Sequence, residues 1–349
     1  MYHSFRPGKL WLDDSGKRIQ AHGSSILYRD GTFYWYGENK EGITGRATGE
    51  KCPYWHHGVK LYSSKDLYNW KDEGFAVKES DDPNNPFYPT NIMDRPHILY
   101  NEKTKKYVLW AKTSCGGFDT CTFSVCVGDD IHDMTFSHEV DLGPYHAGDF
   151  DLFQKEGRTY IVFENPHTCM VLAELSEDYL HIKGPYTEHL HEPYPPFVRE
   201  APAYFSYQGH SYLLTSGTTG YFPNSTKGHG LDDLEGAWVD FGETCIGDKN
   251  RNSFHSQFSS VFAHPHVPGL YIALGDRWLT DLPEDLPDMD KAFIQMFGPK
   301  TDEAPLYSEN LTDDNTSVAD YVWLPVQIDE NGKPFIVYRR EWTIEEFLR

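Results

Sequence analysis

The chain of 349 residues carries 31 Lys and Arg against 53 Asp and Glu, a formal charge of −22, which repels phosphate backbones and anionic lipid headgroups and so argues against nucleic acid and membrane as partners. Hydrophobic residues at 39% suffice for a real core, and 15% aromatic residues exceed what a β-rich core calls for, a surplus that suits stacking on the apolar C–H faces of sugars. Residues 1–19 hold no apolar run of signal-peptide length, so the chain is expected to be cytoplasmic, or a secreted form whose leader is absent.

In chain order the elements read as short strands: SSILYRDGTFYWYGE, GVKLYSSKDLYNW, HILYNEKTKKYVLWAK, FDLFQKEGRTYIVFEN, AYFSYQGHSYLLTSG, GLYIALGDRW and YVWLPVQIDENGKPFIVYRR. Most pair two strands across a short polar turn such as Arg29-Asp30-Gly31 or Gln208-Gly209, the mark of β-hairpins. Five similar units begin near Ile19, Met93, Asp149, Arg199 and Ser253. Each is a small sheet unable to bury both faces alone, as in an all-β, five-bladed β-propeller forming a single domain over residues 1–349. A sandwich would also use many short strands, but would not call for the same hairpin to recur with a polar residue near its first strand. The Pro- and Asp-rich segment Leu279 to Val318 reads as a surface excursion with one short helix. A second loop, Gly42 to Trp55, is placed to wall a pocket. The six cysteines have irregular spacing and no CxxC pair, so they read as mostly reduced thiols, with neither a zinc nor a redox motif.

The recurring polar residues are Glu38, Asp94, Asp149, Glu200 and Gln257. Inner strands of a propeller converge on its axis, so these would meet at one end of the channel. The most telling is Glu200 in Arg199-Glu200-Ala201-Pro202, ahead of an aromatic strand. A carboxyl desolvated there would have a raised pKa, suited to protonating a leaving oxygen. The competing readings are an Arg-Glu surface pair for Glu200, a turn-capping carboxylate for Asp149 and a channel glutamine tying blades together for Gln257.

Together the segments IQAHGSSILYRDGTFYWYGENK, DRPHILYNEKTKKYVLW, GDFDLFQKEGRTYIVFE, REAPAYFSYQGHSYLLTSGTTG, SQFSSVF, GDRW and YVWLPVQI resemble glycoside hydrolase family 43, most closely its exo-β-1,3-galactanase branch, over nearly the whole chain. The resemblance implies an inverting, exo-acting hydrolase of β-1,3-galactan or arabinogalactan-type glycans, with Glu200 as acid and Asp149 as the third carboxylate that tunes it. The usual blade-one base, an Asp, is replaced by Ala21-His22-Gly23. As in that branch, Gln257 is implied to stand in, positioning water or relaying a proton through its imidic tautomer; His22 and His255 are the alternative proton acceptors. Glu38, Glu164 and Thr218 match sugar-facing positions, and His22 and Arg277 are also expected among the substrate contacts. Asp94 stands where the branch usually has Glu, which opens the alternative of an α-L-arabinofuranosidase or β-galactofuranosidase. Arg277 and Trp278 would supply a cation near the acid and a stacking wall. A propeller lectin is the reading from another class. No metal or cofactor is required, although some members of the family hold a structural calcium on the axis, and His56-His57 and His264-Pro265-His266 lack a zinc spacing.

Overall fold

Alternating apolar and polar side chains set the strands, and the computed structural model, which describes residues 1–42, 52–117, 120–282, 288–306 and 315–348, gathers them into five antiparallel sheets. Blade one holds β1 (His22–Arg29), β2 (Thr32–Glu38), β3 (Val59–Ser64) and β4 (Lys71–Val77). Blade two holds β5 (Ile92–Asn101), β6 (Lys106–Ser114), β7 (Thr122–Gly128) and β8 (Thr135–Glu139). Blade three holds β9 (Phe150–Lys155), β10 (Arg158–Asn165), β11 (Cys169–Glu174) and β12 (Thr187–His189). Blade four holds β13 (Arg199–Tyr207), β14 (His210–Gly217), β15 (Lys227–Gly230) and β16 (Val239–Glu243). Blade five holds β18 (Gln257–Ala263), β19 (Tyr271–Arg277), β20 (Asp320–Ile328) and β21 (Pro334–Val337), with the short β17 (Cys245–Ile246) running parallel to β21 on its outside. The first strands β1, β5, β9, β13 and β18 contact one another in a closed ring around the axis. The architecture is the expected five-bladed propeller, and its blades start where the repeated hairpins start.

The excursion after Leu279 contains the expected helix, α1 (Met289–Phe297), capped by Asp288, whose side chain accepts from the Lys291 amide. No helix among the described residues is long and apolar enough to cross a membrane. Residues 43–51 of the loop Gly42 to Trp55 lie outside the described residues; its end, at Cys52, Tyr54 and Trp55, borders the site below.

An N-terminal arm links the two ends of the ring. Phe5 exchanges backbone hydrogen bonds with Trp342 at 2.9 and 3.1 Å and stacks on its ring at 4.2 Å. Next to them Trp11, Trp35, Trp70 and Trp323 form one buried aromatic cluster. That cluster accounts for part of the aromatic surplus that the composition assigned to sugar contacts.

Four inner strands are bulged, and three of them share one form. Register slips by one residue at Gly23-Ser24 in β1, Arg95-Pro96 in β5 and Ala201-Pro202 in β13. The first bulge residue is left-handed each time, with φ of 55° at Gly23, 53° at Arg95 and 47° at Ala201. Such a bulge re-aims the side chain before it and tolerates proline, which has no amide hydrogen to pair. The Asp-Arg-Pro and Glu-Ala-Pro motifs are therefore the sequence trace of two bulges, each directly after a carboxylate.

Candidate active site

At the entry end of each blade the first strand and its neighbour present a facing pair. His22 lies opposite Glu38, Asp94 opposite Lys112, Glu200 opposite Ser216 and Gln257 opposite Asp276. In blade three Asp149 and Glu164 face each other, with the Glu164 amide donating to the Asp149 carbonyl at 2.9 Å. Each pair contributes at least one side chain to the wall of a cavity of about 980 Å³, lined among others by Glu38, Lys40, Asp94, Arg95, Lys112, Asp149, Glu164, Glu200, Thr218, Gln257 and Trp278.

Its floor is buried charge. Arg95 contacts Asp149 at 2.9 Å and donates to the Gln257 side-chain oxygen, while its backbone amide donates to Glu38 at 3.0 Å. Lys112 lies 3.1 Å from Asp94 and 3.8 Å from Asp149. Lys40 pairs with Glu38 at 2.9 Å. Asp94 also accepts the Trp55 indole N–H at 2.6 Å. Burial alone would raise its pKa, but Lys112, Lys40 and that indole outweigh it and hold Asp94 below its usual range. Close approach needs glycine here: a Cβ on Gly23 would sit 2.4 Å from the Glu38 Oε1, and one on Gly148 would sit 2.5 Å from the Glu164 Oε2.

Glu164 and Glu200 have no cation in direct contact among the described residues, and Glu200 is partly open to the cavity. Burial, followed by the charges of Asp149 and Glu164, pushes its carboxyl well above the ordinary carboxylate range, and Arg95 and Lys112 offset only part of this. Glu164 is pushed up to about 7, by burial first and by Asp149 second. A carboxyl whose pKa is raised in this way, facing a sugar-sized hollow, is suited to act as a general acid. Arg199 is buried and bonded to Thr215 and to the Ser225 carbonyl, so the surface-pair reading of Arg199-Glu200 fails.

Gln257 has all four of its hydrogen-bonding positions filled. Its amide nitrogen donates to Glu200 at 2.8 Å and to Ser216 at 2.9 Å. Its oxygen accepts from Arg95 and, at 3.1 Å, from the Trp278 indole. The residue thus ties three blades and touches the acid itself.

The family model described as glycosyl hydrolases family 43 matches residues 18–241, more than half of the chain. The chain belongs to family 43. A β-1,3-galactosidase of family 43 superposes with a TM-score of 0.79 at 26% identity, covering 99% of this chain and 64% of its own, so the chain spans less than two thirds of that relative. A second family 43 β-1,3-galactosidase, solved with galactodeoxynojirimycin, gives 0.79 at 25% identity over 97% of this chain and 100% of its own. An exo-β-1,3-galactanase from Phanerochaete chrysosporium, with β-1,3-galactotriose, shares the fold at a TM-score of 0.76 and 21% identity, over 98% and 68% of the two chains. No curated protein gives a significant match. As a family 43 member the protein is a glycoside hydrolase, which displaces the lectin reading.

The family 43 pocket gathers Glu38, Asp94, Asp149, Glu164, Glu200, Thr218 and Gln257, together with Trp278. Two expected sugar contacts fall outside it. His22 is fully buried, between Asp276 at 3.0 Å and Gln20 at 3.1 Å, with its ring stacked on Tyr321. Arg277 donates to the carbonyls of Phe254, His255 and Gly8. Strand alternation turns it away from the face that Asp276 and Trp278 present. His255 is likewise absent from the cavity wall, and its ring Nε2 is buried without a partner among the described residues.

Sequence reasoning missed Lys40, Arg95 and Lys112. A signal existed for two of them: Arg95 is the bulge residue after Asp94, and Lys112 lies near the end of the second strand of its blade, as Glu38 and Glu164 do in theirs. The described side chains close enough together to share a metal are Cys169, Glu188 and His191, on the outer strands of blade three. In the pocket Glu38, Asp94 and Asp149 are paired with lysine or arginine, a poor match for calcium, which takes six to eight oxygens.

Proposed function

We propose that the protein is an inverting, exo-acting hydrolase that releases terminal galactose from β-1,3-galactan or arabinogalactan-type glycans, with Glu200 as the general acid and Asp149 as the carboxylate that tunes it. The support for this reading is the combination of a Glu200 carboxyl whose pKa burial and Asp149 raise with a pocket whose floor is closed by buried charge. A closed floor suits a chain end rather than the middle of a polymer. The two β-1,3-galactosidase structures at 25% and 26% identity support the choice of sugar.

In this mechanism Glu200 donates its proton to the glycosidic oxygen while a water attacks the opposite face of the sugar ring. Gln257 is a very weak base, so its part is to hold and orient that water. Its contact with Glu200 has to open for a sugar to enter, because inversion requires roughly 6.5–9.5 Å between the acid and the group opposite. Arg95 and Trp278 keep hold of the Gln257 oxygen meanwhile.

Replacing Glu200 by Gln tests the reading. The variant should fold normally and lose about 10²–10⁴-fold in kcat on galactan oligosaccharides, with a much smaller loss on dinitrophenyl glycosides, whose leaving group needs no proton. Full activity on the poor leaving group would overturn the assignment, and an α-configured product in the first turnovers, read by NMR, would establish inversion.

A second sugar is favoured by one feature. Asp94 is engaged by Trp55 and Lys112, so at its place the pocket offers lysine donors instead of a free carboxylate acceptor. An arabinofuranosyl or galactofuranosyl unit fits that change, and a panel of nitrophenyl glycosides beside galactan oligosaccharides separates the two sugars.

A further inference from the structure

Building on the glycosidase reading, we propose that helix α1 carries a second sugar-stacking surface outside the pocket, with Phe297 as its platform, and that it receives the glycan on the leaving-group side of the bond that is cut. The helix packs through Met289 and Ala292, and Phe293, partly buried on the same cluster, forms part of the cavity wall. One turn further on, Phe297 remains 38% exposed, beside Met296 at 42%. Its ring runs nearly parallel to that of Phe293, 5.9 Å away at 27°. It meets edge-on, at 4.8 Å, the ring of His167, which also lines the cavity. The aromatic surface therefore continues unbroken from the pocket wall to the exterior.

Its position identifies the occupant. Gly298 follows the helix, and a Cβ there would lie 2.9 Å from the Tyr194 ring, so the end of α1 rests on the segment that leads into β13 and Glu200. The acid delivers its proton to the oxygen joining the terminal sugar to the rest of the chain, so the departing sugar must lie on the acid's side. An exposed ring there meets the C–H face of a hexose and adds affinity without requiring a particular hydroxyl. A protein partner fits poorly: a few side chains fall far short of the roughly 1,000 Å² that a stable interface needs. An anionic membrane is disfavoured by the −22 charge.

The test compares β-1,3-galactobiose with β-1,3-galactotetraose, and in parallel α-1,5-arabinobiose with α-1,5-arabinotetraose, by kcat/KM and by calorimetric binding in the Glu200→Gln protein. The parent protein should favour the longer member of whichever pair it accepts. Phe297→Ala should remove about tenfold of that preference, and Phe297→Tyr, which keeps the ring, should restore it. No preference for length in the parent, or an undiminished one in Phe297→Ala, overturns the proposal while leaving the proposed function standing. Acceptance of the arabinan pair alone would sink the galactanase reading and leave this surface intact. Binding of neither pair would overturn both.

Discussion

Replacing Asp149 by Asn should move the alkaline limb of the pH profile of kcat/KM to lower pH. Activity requires Glu200 protonated, so the rate falls as pH rises through its pKa, which burial, Asp149 and Glu164 raise in that order. The carboxylates of Asp149 and Glu200 are linked through Arg95 and Gln257 by contacts of hydrogen-bond length. For a separation of roughly 6 Å at an effective dielectric near 20, the repulsion is about 2.8 kcal/mol, or about two pKa units. Screening by Arg95 in the parent reduces the expected shift to between about one and two units. Lys112→Met is the control of opposite sign: Lys112 favours ionised Glu200, so its loss should move the limb upward. Both profiles are measured on an oligosaccharide with a poor leaving group, with circular dichroism confirming the fold. A limb that stays in place in Asp149→Asn, or moves in the same direction in both variants, would refute the idea that Asp149 tunes this acid.

Gln257→Ala should lower kcat about 100-fold and also lower Tm, because Arg95 and Trp278 lose their buried acceptor at a cost of about 1–3 kcal/mol; unchanged kcat would remove Gln257 from the mechanism. Gly23→Ala should reduce kcat/KM at least about tenfold, since its Cβ meets Glu38, which Lys40 and the Arg95 amide hold in place. Gly31→Ala, also left-handed but with open space around its Cβ, should cost only about 1 kcal/mol of stability and no activity. Phe5→Ala should destabilise the protein by about 3–5 kcal/mol, read by urea unfolding, because it opens the contact between the arm and Trp342; a change below about 1 kcal/mol would show that the arm does not help close the ring.

By itself the amino-acid sequence determined the repeat and the element type. Hairpin periodicity is local, written in residues a few positions apart, so the five blades and the carboxylate or amide near each inner strand were legible before any coordinates. Glu200, Asp149 and Gln257 were found the same way, with the family resemblance adding roles to positions that the repeat had already marked. What only the tertiary structure decided is which charge meets which. The contact between Arg95 and Gln257 joins residues 162 positions apart, and Lys112 reaches Asp149 from another blade. Such pairings arise from convergence on an axis and leave no periodic trace in the chain. For the same reason His22, plausible from its neighbours in sequence, turned out to be buried between blades one and five, and Arg277 turned to backbone carbonyls outside the pocket: a strand alternates its side chains between two faces, and the bulges at Gly23, Arg95 and Ala201 decide which side chain faces the sugar.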